Sequence, residues 1–175
     1  MTEPEPAKMT AGDVLTALQG RWPVAEYLHL TEVPLDSMRQ GRKLDLVVVS
    51  LWNSRGHQLD GVEVKVSVSD FRRELKAPAK ADAWVHRVDR FWIACPVAVA
   101  AKIRDDVPAT WGLLACSAGK VREVIKATRR DERLPFSWPQ QIGLLRSAAD
   151  AGTNALWSAA STGHARGLAD RKAQR

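Results

Sequence analysis

Two cysteines, one tyrosine, three phenylalanines and four histidines are all that 175 residues contain of those types. Cys95 and Cys116 stand far apart and match neither a redox pair nor a zinc-ligand spacing, which argues against a disulfide framework and a structural zinc site. Buried, reduced thiols are the expectation. His29, His57, His86 and His164 fall into no ligand pattern either, so neither a zinc hydrolase nor a Cys–His nucleophile is indicated. A glycine-rich phosphate loop ending in G-K-S/T is missing, as are internal repeats and sustained heptads, so an ATP-driven activity would need another subunit. The longest apolar stretch, Phe91 to Ala101, is broken by Pro96 and falls far short of the roughly 20 residues that cross a bilayer. With no basic-then-apolar leader pattern at the start, the expectation is a cytoplasmic protein without a membrane partner.

What the chain does have is tryptophan and positive charge. Seven Trp would supply much of the core, with Trp52 and Trp84 also considered as platforms for stacking on bases. A formal charge of +6 and a pI near 9.7 favour an acidic partner, DNA first among them. The Pro- and Glu-rich start reads as a tail over residues 1–10, and the basic stretch over residues 161–175 as another that adds phosphate affinity or extends a solvated helix. Residues 11–160 then form one domain, long enough to bury a core unaided.

Within it, Ala11 to Gly20 and Val24 to Leu30 carry helical spacing. Two apolar runs, Leu44 to Leu51 and Gly61 to Val66, flank the turn residues Asn53, Ser54 and Gly56 and read as an antiparallel hairpin. Ser69 is placed to cap a helix over Asp70 to Lys76. Arg90 to Cys95 reads as a buried strand, and a short helix lies between Pro96 and Pro108. Trp111–Cys116 and Val121–Ala127 form a second hairpin, and an amphipathic helix covers Gln140 to Ala160. That order predicts an α/β fold with a mixed central β-sheet flanked by helices.

The chemistry concentrates in the first hairpin. In G-V-E-V-K-V, Glu63 and Lys65 project from one face while Val62, Val64 and Val66 line the other, and two residues along a strand separate the charges by roughly 6.6 Å. Alone, E-x-K in a strand usually means a solvated ion pair. Here the preceding apolar strand carries a lone carboxylate, Asp45, a residue depleted in strands and costly to bury without a partner. Antiparallel neighbours lie about 4.8 Å apart, so Asp45 and Glu63 are close enough to share one cation.

Asp45 followed by Glu63-Val64-Lys65 resembles the PD-(D/E)XK nuclease superfamily. The longer stretch E-V-K-V-S-V-S-D-F-R-R-E-L-K, with V-D-R-F-W-I-A-C-P and W-G-L-L further on, is similar to the MmcB-like DNA-repair endonucleases of bacteria and their phage-encoded relatives. The likeness spans roughly Pro23 to Lys126 and departs from the superfamily's name in one place, since Leu44 and not proline precedes Asp45. It implies a restriction-endonuclease-like core and Mg²⁺- or Mn²⁺-dependent hydrolysis of DNA phosphodiesters in repair, recombination or phage DNA processing.

In that picture Asp45 and Glu63 hold the metal, and Lys65 orients the attacking water or steadies negative charge on the phosphate. A further acid is expected from the first helix, with Glu26 favoured and Glu32 in reserve. Arg72, Arg73, Lys76 and Lys80 beside the site would contact DNA phosphates, or else form an ordinary solvated basic face. A homodimer would place two sites for a double-strand cut, although no stretch marks an interface. The other reading is a non-catalytic or partner-dependent DNA-binding module with the same fold.

Overall fold

The computed structural model describes residues 8–35, 43–76 and 78–152. The basic C-terminal tail, most of the N-terminal tail, residues 36–42 and the far end of the helix expected over Gln140–Ala160 lie outside those residues.

Helix α1 (Ala11–Arg21) starts where the sequence supplies a capping box: the Thr10 hydroxyl accepts from the Asp13 amide, and the Asp13 carboxylate accepts from the Thr10 amide at 2.8 Å. It buries Val14, Ala17 and Leu18. The segment Val24 to Leu30 is not helical as its spacing predicts. After a turn, Tyr27–Pro34 forms strand β1, paired antiparallel to β2 (Lys43–Ser50). Over seven residues helical and alternating patterns are hard to tell apart, and the ladder to β2 decides between them.

Strand β3 (Leu59–Val64) completes the first hairpin, antiparallel to β2. The chain then crosses over through α2 (Val68–Leu75) and α3 (Pro78–Val85) to β4 (Arg90–Pro96), which lies parallel to β3. Helix α4 (Val97–Ile103) leads to β5 (Gly112–Ser117), parallel to β4, and a tight turn returns as the antiparallel β6 (Lys120–Ile125). Helix α5 covers residues 138–152. The six strands lie side by side in the order of the chain, a mixed sheet between helices, as the α/β reading predicts.

The two faces carry different loads. On one, α1 alone covers Leu46, Val48, Val62, Val64, Trp92 and Leu114. On the other, Phe71 of α2, Trp84 of α3, Ile103 of α4 and Leu144 and Ala148 of α5 close over Val47, Leu59, Ile93 and Leu113. Trp22, Trp84, Trp92 and Trp111 are buried, which leaves Trp52 and Trp138 as the exposed tryptophans among the described residues. Trp92 explains one glycine: a Cβ on Gly112 would sit 2.1 Å from the indole, so no larger residue fits there without displacing the ring. Cys95 and Cys116 are buried thiols on opposite faces of the sheet, each pushed up in pKa by burial.

Candidate active site

The ladder between β2 and β3 runs from Val49–Leu59 to Leu46–Val62 and goes no further. Beyond it the alternation of β1 and β2 slips by one residue. Leu30 and Val33 of β1 share a cluster at an odd spacing, as do Leu44 and Val47 of β2, and between each pair stands one acid, Glu32 and Asp45. Glu32 has a φ of 53°, the left-handed region that non-glycine residues seldom occupy. The slip takes Asp45 out of the usual in-and-out pattern and turns its carboxylate along the sheet. There Oδ2 accepts the Val64 amide at 2.7 Å, in place of the missing ladder bond. Asp45 is thus fixed next to Glu63.

Glu63 points to the face covered by α2. It is 7% exposed, and its Oε1 lies 2.9 Å from the Lys65 ammonium, itself 4% exposed. Lys65 follows directly after β3, and its amide, donating to the Ala94 carbonyl at 2.9 Å, keeps it aligned with β4. The ammonium also touches Glu74 Oε2 at 3.1 Å and lies 4.0 Å from Asp70 Oδ2. Asp45, Glu63 and Lys65 therefore converge, as their spacing predicts.

Electrostatics single out Glu63 within this cluster. Burial, and then the neighbouring Asp45 carboxylate, push the Glu63 carboxyl up to about 7, and Lys65 pulls it back only in part. For Lys65, burial disfavours the charged form, but Glu63 and Glu74 outweigh it and the net shift is upward. Lys65 therefore stays a cation. A positive ion between Asp45 and Glu63 would relieve the repulsion between them.

That donor set fits Mg²⁺ or Mn²⁺, which take one or two carboxylates and complete their shell from water and phosphate oxygens. Among the described residues no three or more His, Cys, Asp or Glu side chains form an all-protein metal cage. A two-carboxylate site that borrows ligands from its substrate requires none.

The other expected residues divide. Glu26 does not join the cluster. It lies in the turn before β1, paired with Arg55 at 2.6 Å, beside Ser50 and Leu51 at the far end of the hairpin. Ser50 is five residues beyond Asp45, roughly 16 Å along an extended strand. Glu32 does lie across from Asp45, but its exposed side chain turns out to Lys43 at 3.7 Å. Neither acid belongs to a helix, because the segment that carries them became β1 and its approach.

Arg72, Arg73 and Lys76 are exposed along α2 beside the site, Arg72 being 3.5 Å from Asp106. Lys80 falls on α3, and its side chain lies outside the described residues. The helix cap is Ser67, whose hydroxyl accepts from the Asp70 amide at 3.1 Å; Ser69 sits inside the first turn, since the helix begins earlier than expected. Trp84 is buried in the core with its ring against Phe136, and Trp52 stands at the far end of the hairpin, away from the cluster.

Sequence reasoning missed Glu74. Its signal was present, because Phe71, Glu74 and Leu75 share one face of an amphipathic helix, and a carboxylate on the buried face needs a partner.

No family model matches the chain, and no curated protein sequence does. Among solved structures, it is similar to the SPO1766 protein of unknown function from Silicibacter pomeroyi, with a TM-score of 0.56 at 19% identity over 89% of this chain and 91% of that one. At that identity the likeness speaks for a shared fold. Among the described residues no helix is long and apolar enough to cross a membrane.

Proposed function

We propose that the chain is a Mg²⁺- or Mn²⁺-dependent deoxyribonuclease of the PD-(D/E)XK type, similar to the MmcB-like endonucleases, acting on DNA in repair, recombination or phage DNA processing. The observation that carries this reading is the convergence of Asp45, Glu63 and Lys65 where β2 and β3 part. Asp45 and Glu63 would hold the cation, which supplies Lewis acidity to the phosphodiester and acidifies a bound water. Lys65, buried and protonated, steadies the negative charge that builds on the phosphoryl oxygens. Arg72, Arg73 and Lys76 give phosphates on either side of the scissile bond a place to rest. Such an enzyme works where the DNA is, in the cytoplasm of a bacterium or of a phage-infected cell.

The alternative is a DNA-binding module without turnover of its own. One observation favours it: the further acid expected beside the pair, Glu26, is held by Arg55 at the other end of the hairpin. A single assay separates the two. Linear, nicked, flapped and branched DNAs are incubated with Mg²⁺, Mn²⁺ or chelator, with the Glu63→Gln protein as control. Cleavage by the unaltered protein alone supports the enzyme, and equal background from both proteins sinks it.

A further inference from the structure

Lys65 is gripped from two sides: Glu63 reaches it from the strand, and Glu74 from helix α2. If Asp45 and Glu63 take a divalent cation, Glu63 can no longer serve the ammonium as its main counter-charge. A lysine held only by Glu63 would then swing away from the reacting phosphate. Glu74 meets this need because it belongs to another element. It is 8% exposed, sits one turn after the buried Phe71, and brings its Oε2 to 3.1 Å from Lys65 Nζ. Asp70, further off at 4.0 Å and more exposed, is a weaker second anchor.

We infer that Glu74 is a positioning residue, which keeps the Lys65 ammonium aimed into the cluster when a cation engages Glu63. The inference rests on the nuclease reading for its consequence, though not for its geometry. It makes α2 part of the site: one helix carries the lysine's anchor on its buried side and the basic residues Arg72 and Arg73 on its outer side.

Glu74→Gln and Glu74→Asp separate this role from packing. Glutamine keeps the shape and loses the charge; aspartate keeps the charge and loses a methylene. Displacing a catalytic group by about 1 Å costs up to ~10²-fold in rate, so Glu74→Gln is expected to lower kcat by about 10- to 100-fold, with KM and Mn²⁺ affinity unchanged. Glu74→Asp should retain more activity than Glu74→Gln, although it disturbs packing more. A second readout needs no turnover. The ¹⁵N resonance of a lysine ammonium is sharp only when burial and ion pairing slow its exchange with water, so the Lys65 signal should persist in Glu63→Gln, where Glu74 is left to hold it, and vanish when Glu74→Gln is added to Glu63→Gln. The inference is overturned if that resonance is absent from Glu63→Gln or survives in the double variant Glu63→Gln/Glu74→Gln, or if Glu74→Asp is the more damaged variant and activity merely follows the folded fraction. An unaltered protein that is inert with every cation retires the nuclease reading, and the resonance still decides the role of Glu74.

Discussion

Strand β3 buries two carboxylates three residues apart, and they live in opposite circumstances. Asp60 is 1% exposed and faces α1, where its two oxygens accept from the Trp92 indole at 3.0 Å and from the Gln58 amide. Glu63 is nearly as buried and faces α2, where it meets an ammonium on one side and another acid on the other. Burial raises the pKa of both. Buried charge alone therefore does not mark a reactive site. Asp60 is hydrogen-bonded by two neutral donors, with Arg90 and Asp89 acting on it through space, whereas Glu63 is in direct contact with an ammonium and next to a second acid, charges that a substrate or cation can rearrange.

The largest expected effect breaks the symmetry between them outright. Glu63→Gln, like Asp45→Asn or Lys65→Ala, should abolish cleavage, a fall on the order of 10²-fold or more, while DNA binding by gel shift survives. Asp60→Asn should leave turnover per folded molecule near its original value. Its effect belongs to stability: an asparagine presents an N–H where a donor already points, so urea denaturation should show a loss of about 1–3 kcal/mol.

A third test uses pH. Glu63 rises from the usual glutamate value of 4.5 to about 7 in the cation-free fold, so folding favours its neutral form. Its favourable contribution is complete below about 4.5 and disappears as pH rises through about 7. Relative to Glu63→Gln, the cation-free protein should lose melting temperature across that window, and added Mn²⁺ should restore it. A flat difference between the two proteins would mean that burial and Asp45 do not raise the Glu63 carboxyl.

The smallest effect lies on the outer face of α2. Arg72→Ala or Arg73→Ala should weaken DNA binding modestly and equally for all sequences, reducing the slope of log affinity against log salt by about 0.9 for each phosphate that is no longer neutralised. No change would make these arginines a solvated surface, with Arg72 serving Asp106 alone.

Much of this was legible from residues alone. The E-x-K strand, the lone Asp45 in the apolar run before it, and the turn between them lead to the convergent cluster, because hairpin pairing sets Asp45 beside Glu63, although the turn of the Asp45 carboxylate to the Val64 amide does not follow from alternation. The β4 and β5–β6 elements follow from short apolar runs bounded by proline and a glycine turn. Glu26 misled because seven residues with helical spacing also suit a strand, and only pairing with β2 removes the ambiguity. The second run of the hairpin reads from Gly61, yet β3 begins at Leu59 and takes in Asp60. The inward slip at Glu32 and Asp45 could not be read at all, since a left-handed glutamate leaves no compositional trace.

Because strand order in space follows strand order along the chain, no strand has to be threaded between two that have already formed. Each new one joins the growing edge left by its predecessor, which keeps pairing local and favours fast assembly. Asp45, Glu63, Lys65 and Glu74 all precede β4 in the chain, and β4 adds the Ala94 carbonyl that takes the Lys65 amide. During synthesis from the N-terminus, the first half of the polypeptide would supply every member of the cluster, and β4 would follow to fix Lys65 in line.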